Sequence, residues 1–163
     1  MPTAILNIPG SGVFAGISGA LHSAGFSPVP SPPAGLLISC AGDADAGIAS
    51  ARAFAEAVPP DQEALIVNIL PAYARGDWGG ARRAALLWAF TRHAALEWAP
   101  RRIRVNALGL GVFPALPDQL PEEAGRAAGA APAAPATPED VAATILAMWR
   151  FPSMTGQLIR LGS

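Results

Sequence analysis

The chain has 163 residues, 52% of them hydrophobic and 14% charged, with a mean hydropathy of +0.35. This length suits a single domain over residues 1–163, and the composition is too apolar for intrinsic disorder. The formal net charge is −1, so no overall field favours nucleic acid or an anionic membrane. One cysteine, Cys40, and two histidines are too few for a structural zinc site or a disulfide framework, so we expect no metal.

All eleven basic residues are arginines, and the chain contains no lysine. The absence of lysine excludes a Schiff base, a phosphate-loop lysine and a tyrosine activated by a neighbouring lysine. The N-terminus lacks a basic segment followed by an unbroken apolar stretch, and no run of about 18 apolar residues occurs. The sequence therefore predicts a cytoplasmic protein that does not span a membrane.

Apolar runs and helical patterns alternate along the first half of the chain. Residues 4–8 predict a buried strand, and apolar side chains at helical spacing then predict a helix that stops at Gly25. Four prolines between residues 28 and 33 exclude a helix or a central strand, so this segment is a linker or a sheet edge. Residues 35–42 predict a second buried strand, and residues 46–58 predict a second helix.

The second half continues this alternation, which predicts a parallel sheet with helices on both faces. Leu86 and Trp88 widen the apolar surface of the long helix beyond what one sheet face needs. Residues 111–136, rich in alanine and proline, are left without assigned structure. The predicted elements are a strand over residues 64–70, a helix over 81–98, a strand over 104–108, a helix from 137 to about 149 and a strand over 157–161.

Several of these segments together resemble the short-chain dehydrogenase/reductase family, whose members bind a nicotinamide dinucleotide on a Rossmann-type sheet. The most specific likenesses are residues 97–107 (EWAPRRIRVNA) and residues 137–142 (TPEDVA) with residues 155–157 (TGQ). Residues 66–69 (IVNI) resemble the strand that normally ends in the catalytic serine, and residues 39–42 (SCAG) resemble the turn beside the cofactor. The resemblance implies an α/β, Rossmann-like three-layer sandwich with a reduced, mostly parallel sheet of about five strands.

Residues 11–18 (SGVFAGIS) fit the family's N-terminal Thr-Gly-x-x-x-Gly-Ile-Gly turn with two replacements. In the family, the glycines of this turn let the backbone approach the pyrophosphate at a helix N-terminus. The resemblance therefore makes Gly12, Gly16 and Ile17 the candidate cofactor-binding residues, in a turn that has lost part of the family's pattern. A strand-helix turn that needs glycine only for its geometry explains the same pattern.

Catalysis in the family needs a tyrosine four residues before a lysine, together with a serine that orients the carbonyl. Alignment with the family places Gly80 at the tyrosine position and Ala84 at the lysine position, and the serine position falls on Leu70 or Pro71. The resemblance thus implies that this chain has no catalytic residues. A different register cannot restore the pair, because the chain has one tyrosine, Tyr73, and no lysine.

Only residues 27–34 stand where the family has two strands and a helix that hold the adenosine half of the dinucleotide. The family commonly binds the ribose through an acid there, and this chain has no Asp or Glu before Asp43. We therefore expect half of the dinucleotide pocket to be missing. The corresponding expectation is no cofactor, with NAD or NADP binding weak or lost.

Three further groups of residues have both a functional and a structural interpretation. Tyr73, Arg75, Asp77 and Trp78 crowd one loop and would form a relocated site or an ordinary surface. Cys40 is a nucleophile or, more simply, a buried inert thiol. Six of the eleven arginines would receive an acidic partner or a CoA phosphate, or form a solvated face: Arg82, Arg83, Arg92, Arg101, Arg102 and Arg104.

The leading hypothesis is a catalytically inactive subunit that pairs with itself or with an active short-chain dehydrogenase. The family assembles through its long helix, and here Trp88 or Trp98 would contribute heavily to that interface. One alternative is an oxidoreductase-like enzyme of altered chemistry that acts on a small acyl or carbonyl substrate through Tyr73 or Cys40. Another is a nucleotide-binding sensor, which would depend on the glycines of the N-terminal turn.

Overall fold

The computed structural model describes residues 3–7, 13–30, 34–40, 43–70, 77–110 and 136–162, without the side chains of residues 13–15. Strands and helices alternate throughout these ranges, as predicted. In chain order they are β1 (Thr3–Asn7), α1 (Val13–Ser23), β2 (Ser27–Pro28), β3 (Leu36–Ser39), α2 (Ala44–Ala57), β4 (Ala64–Leu70), α3 (Trp78–Glu97), a 3₁₀ turn (Ala99–Arg101), β5 (Ile103–Leu110), α4 (Pro138–Arg150) and β6 (Leu158–Leu161).

The described strands form one sheet in the order β2-β1-β3-β4-β5-β6, and every neighbouring pair is parallel. This confirms the predicted α/β, Rossmann-like architecture. The sheet has six strands rather than about five, because Ser27 and Pro28 pair with β1 as a short edge strand. An edge is the place in a sheet where proline is tolerated. The proline-rich segment therefore contributes a sheet edge, one of the two alternatives predicted for it, with one short strand beside β1.

Side chains alternate between the two faces of each central strand, so each face receives its own helices. Leu65, Val67 and Ile69 of β4 pack in the same core as α1 and α4. Ala64 and Ile66 of the same strand face the opposite way and pack in a core shared with α2 and α3. The result is the predicted three-layer sandwich, with both faces of the parallel sheet covered.

Helix starts follow from capping side chains more closely than from apolar periodicity. α3 begins at Trp78, three residues before the predicted start, because Asp77 Oδ1 accepts the Gly80 amide at 2.8 Å. α4 begins as predicted in a capping box, in which Thr137 Oγ1 accepts the Asp140 amide and Asp140 Oδ2 accepts the Thr137 amide. The Thr137 hydroxyl also donates to Asp140 Oδ2. The two hydrogen bonds that the carboxylate accepts from Thr137 hold the pKa of Asp140 below its ordinary value.

The guanidinium of Arg104 joins β5 to the end of α4. Its Nη1 donates to the carbonyls of Met148 at 2.6 Å and Phe151 at 2.9 Å, and its Nη2 donates to that of Trp149 at 3.0 Å. Carbonyls in the last turn of a helix have no partner within the helix, and a cation is favoured at that end. Arg104 therefore caps α4 from a neighbouring strand and holds the helix against the sheet.

α1 and α4 approach closely at Gly16. A Cβ built on Gly16 would lie 2.9 Å from Cγ of Pro138, at the start of α4, whereas a Cβ on Gly19 would meet nothing within 4 Å. Gly16 thus has a packing role, because any larger residue would push against a rigid proline ring. Gly19 carries no such constraint.

We predict opposite effects of alanine at these two glycines. Gly19→Ala should raise the free energy of unfolding by about 1 kcal/mol, the difference in helix propensity between glycine and alanine. Gly16→Ala gains the same propensity but overpacks against Pro138, and a cost of about 1–3 kcal/mol should leave it at or below the stability of the parent. Urea denaturation of both variants measures this. Equal stabilisation by both would show that α1 and α4 are not in contact at Gly16.

Candidate functional site

Ligands of open parallel sheets bind at the carboxyl ends of the strands, so a ligand site is expected at this edge of the sheet. α1, α2 and α3 follow β1, β3 and β4 and therefore begin at this edge. Several predicted site residues fall in the connections there and lie outside the described residues: Gly12, Pro71, Tyr73 and Arg75. Their proposed roles stay predictions.

The N-termini of the described helices differ in how their free amides are satisfied. Asp43 caps α2 by accepting the Asp45 amide at 3.3 Å, Asp77 caps α3, and the Thr137–Asp140 box caps α4. α1 has no acidic residue in its first turn, and the residue before it in the sequence is Gly12, which has no side chain to offer. Among the described helices, α1 is thus the one whose positive end carries no carboxylate of its own, which favours an external anion.

The structure gives Gly16 and Ile17, both predicted cofactor-binding residues, clear packing roles. Gly16 allows the close approach of α4 described above. The side chain of Ile17 is fully buried in the core shared by α1 and α4, so it is not available to a ligand. Any contribution of these two residues to cofactor binding would therefore come through the backbone.

The first two turns of α3 extend beyond the carboxyl end of β4. Leu87 packs against Leu70, the last residue of β4, while Thr91 lies one turn further along the helix and accepts a hydrogen bond from Asn68 at 3.0 Å. The helix therefore runs antiparallel to the strand, and each residue before Leu87 lies about 1.5 Å further beyond the sheet. Gly80 belongs to this projecting part.

Gly80 and Ala84 are the positions that the resemblance assigns to the tyrosine and the lysine. They lie one turn apart on α3, and both are buried. Both positions thus lie toward the start of α3, and the roles that the resemblance assigns to them stay predictions. Neither residue has a side chain beyond Cβ, so neither can donate or accept a proton there.

A buried polar pair below the edge was missed by the sequence analysis. Ser39 and Asn68 are register partners on β3 and β4, and within the described ranges Ser39 Oγ and Asn68 Oδ1 have no hydrogen-bond partner. The Asn68 amide donates to Thr91, whose hydroxyl donates to the Leu87 carbonyl at 2.8 Å. An asparagine inside an otherwise apolar strand was the available signal, because a buried amide must find partners.

Cys40 is buried at the end of β3, and burial raises the pKa of its thiol from 9.0 to about 12. A thiol with this pKa forms almost no thiolate near neutral pH, and thiolate is the nucleophilic species. The geometry therefore favours the interpretation of Cys40 as an inert core residue over the alternative that it is a nucleophile.

The six arginines singled out in the sequence do not form one binding surface. Arg101 donates to the carbonyls of Ala55 at 2.7 Å and Val58 at 3.3 Å, which caps the end of α2. Arg104 caps α4, and the guanidinium carbon of Arg92 lies 6.0 Å from the ring centre of Trp88. Three of the six therefore serve contacts within the chain, which weakens the hypothesis of a shared site for an acidic partner.

The tryptophans of the α3 region divide into buried and accessible ones. Trp98 is only 7% exposed and stacks edge-on against Phe90 with ring centres 5.9 Å apart, so it belongs to the core rather than to an outer surface. This burial argues against a direct contribution of Trp98 to an interface, and the half-buried Trp88 remains the other tryptophan of that prediction. The large apolar side chains of α3 that are exposed are Trp78, Leu86 and Leu96, with exposed fractions of 85%, 44% and 80%.

The described part of the chain contains no group of three or more His, Cys, Asp or Glu side chains placed to hold a metal ion. Of the helices in the described ranges, none combines the length and apolar character needed to cross a bilayer.

No protein-family model matches the sequence, and no curated protein matches it. Solved structures do match. FolM alternative dihydrofolate reductase 1 from Brucella canis, complexed with NADP, has a TM-score of 0.71 at 20% identity, over 98% of this chain and 92% of that one. A short-chain dehydrogenase/reductase from Brucella ovis, with a partially ordered NAD, has a TM-score of 0.66 at 15% identity, over 98% and 99%. A short-chain dehydrogenase family protein from Francisella tularensis has a TM-score of 0.71 at 14% identity, over 99% and 97%.

The chain has the short-chain dehydrogenase fold. The resemblance seen in the sequence is thus confirmed at the level of the fold. The expectation of no nicotinamide cofactor is wrong, because two of these structural neighbours hold NADP or NAD on the same fold. That expectation assumed that two strands beside β1 had been lost, whereas β2 occupies this edge.

We predict that Cys40 reacts slowly with thiol reagents in the folded protein. At pH 8, a pKa of about 12 rather than 9.0 lowers the thiolate population by about a thousandfold. Labelling with iodoacetamide should therefore be slow in buffer and fast in denaturant. Rapid labelling of the folded protein would show that the thiol is accessible and would restore the nucleophile hypothesis.

Proposed function

We propose that this protein binds a nicotinamide dinucleotide at the carboxyl edge of its sheet, with the pyrophosphate at the N-terminus of α1. The carrying observation is that α2, α3 and α4 are capped by their own side chains while α1 has no acid in its first turn. A helix end with unpaired amides and no carboxylate attracts phosphate. The NADP and NAD complexes of structural neighbours support the same assignment.

We further propose that the bound dinucleotide does not serve a tyrosine–lysine proton relay. Gly80 and Ala84 occupy the corresponding positions, and the chain has no lysine at all. On this proposal the protein is a dinucleotide-binding subunit that pairs with itself or with an active oxidoreductase of the same fold. The second candidate is an oxidoreductase that acts on a small acyl or carbonyl substrate with a different proton donor, and the oxidoreductase neighbours favour it.

Calorimetric titration with NADP⁺ and NAD⁺ tests the binding proposal. We predict saturable binding of one of them with a dissociation constant below about 0.1 mM, which corresponds to about −5.5 kcal/mol. Val13→Asp places a carboxylate in the first turn of α1 and should weaken binding at least about tenfold, because it competes with the pyrophosphate.

The matched control is Ser23→Asp, which adds the same charge at the other end of α1. This variant should bind as the parent does. Absence of binding by the parent, or equal weakening by both aspartates, would contradict the proposed position of the pyrophosphate. Turnover of an alcohol or ketone by the parent would favour the second candidate function.

The outer surface of α3 supports assembly as the role of the protein. Leu86 and Leu96 are exposed apolar side chains on this helix, and Ala85 and Ala89 are exposed as well. Small residues let two helices approach closely, and the flanking leucines would then leave water. We propose that a second subunit covers this surface.

We predict that Leu96→Glu dissociates the assembly, because it places a charge in a desolvated contact. Its control is Phe151→Glu, which puts the same charge on a comparably exposed apolar residue after α4. Light scattering over a dilution series should show a dissociation constant raised at least about tenfold for Leu96→Glu only. A parent that is monomeric at every concentration and copurifies with no related subunit would rule out the subunit proposal.

A further inference from the structure

Over the described ranges, two buried side-chain polar atoms have no hydrogen-bond partner, and both occur at one place in the fold. They are Ser39 Oγ, at the end of β3, and Asn68 Oδ1, on β4. The two residues are register partners, and they are only 3% and 1% exposed. Buried polar atoms of folded proteins are nearly always paired, so two unpaired atoms side by side point to a shared partner.

The hydrogen bonds of Asn68 fix which of its two polar atoms is unpaired. The Thr91 hydroxyl donates its proton to the Leu87 carbonyl at 2.8 Å, so toward Asn68 it acts only as an acceptor. The Asn68 Nδ2 therefore faces Thr91, at 3.0 Å, and Oδ1 lies on the other side of the amide. The unpaired atom is thus an acceptor, and its missing partner must be a donor.

Small residues flank Asn68 on both neighbouring strands. Its register partners are Ser39 on β3 and Ala107 on β5. Two residues earlier, on the same face of the sheet, the register partners are the bulky Leu37 and Ile66. A serine and an alanine fill less of the space beside the amide than such side chains would, and a buried polar place of this kind suits a small polar guest.

The spacing of the strands suits a single bridging water. Neighbouring strands of a sheet lie about 4.8 Å apart. Two hydrogen bonds of about 2.8 Å that meet at a tetrahedral water join oxygen atoms about 4.6 Å apart. Such a water accepts a proton from the Ser39 hydroxyl and donates one to Asn68 Oδ1, which satisfies both unpaired atoms at once.

We propose that Ser39 and Asn68 bind one ordered internal water. The water completes a chain of hydrogen bonds from Ser39 through Asn68 and Thr91 to a carbonyl of α3, in which each group donates to the next. Hydrogen bonds in such a chain strengthen one another in a low-dielectric interior. The chain joins β3, β4 and α3 below the carboxyl edge and needs no ligand at that edge, so the water site is independent of the proposed dinucleotide site.

A high-resolution crystal structure of the parent tests the site directly. We expect one well-ordered water within about 2.7–3.2 Å of both Ser39 Oγ and Asn68 Oδ1. In solution, nuclear Overhauser effects between water and the neighbouring amides should show the same water as a long-lived one. A direct hydrogen bond between Ser39 and Asn68, or electron density with no water between the two atoms, would overturn the proposal.

Ser39→Thr and Ser39→Val form a matched pair, because the two new side chains have nearly the same shape and differ by one hydroxyl. The threonine variant should keep the water, whereas the valine variant should lose it. The unfolding equilibrium constant of Ser39→Val should then exceed that of Ser39→Thr at least about fivefold, since Asn68 Oδ1 is left buried without a donor. Urea denaturation measures the ratio. Equal stability of the pair, or a more stable valine variant, would contradict the water site.

Ser39→Ala covers the case in which neither larger side chain allows folding, because alanine adds no bulk. A buried hydroxyl without a partner is a cost, so in a dry site its removal would stabilise the protein. In a site that holds water, the same removal takes away a hydrogen bond and should raise the unfolding equilibrium constant about fivefold. A Ser39→Ala variant as stable as the parent, or more stable, would therefore overturn the proposal.

Discussion

The guanidinium of Arg104 ties the last described segment, residues 136–162, to the sheet. It supplies donors to carbonyls at the end of α4 and in the following loop, and Asn106 on the same strand binds that loop through Met154 and Gln157. Burial lowers the pKa of Arg104, and the charge of Glu63 opposes that shift. α4 in turn packs on α1 at Gly16, so these contacts link β5, α4 and α1.

The carboxyl edge combines features that favour binding with features that oppose the proton relay of this fold. One helix end is left without a carboxylate of its own. Gly80 and Ala84 stand where the sequence resemblance predicts a proton donor and its activating cation. Positive charge and unpaired amides suit anion binding, whereas a proton relay also needs a group that titrates.

Local sequence rules located the five longer strands, because buried parallel strands are short apolar runs. Residues 64–70 were predicted to the residue and form β4. The start of α3 was predicted three residues late, since periodicity detects the buried stripe and the cap at Asp77 lies outside that stripe. The strand at Ser27–Pro28 was not predicted as such, because two residues contain no period and pair only when β1 is beside them.

The candidate site could be predicted in part. The absence of lysine and the glycine and alanine at positions 80 and 84 are properties of the sequence, and they needed no structure. The burial of Trp98 in the core could not be predicted from the sequence, because the apolar pattern of a helix is the same whether a residue faces the core or a partner. Cys40 was ambiguous for a similar reason, since only burial decides the pKa of its thiol.

By itself, the sequence determined the alternation of strands and helices, the likeness to a dinucleotide-binding family and the lack of a tyrosine–lysine pair. These follow from residue identity and from periodicity along the chain, which are local properties. Among the described residues, the tertiary structure decided which helix end lacks a capping carboxylate, which arginines cap helices and which side of α3 is exposed. Those features depend on contacts between residues distant in the chain, such as Arg104 with Met148 and Gly16 with Pro138. No local pattern specifies such contacts, because they exist only once the layers have packed.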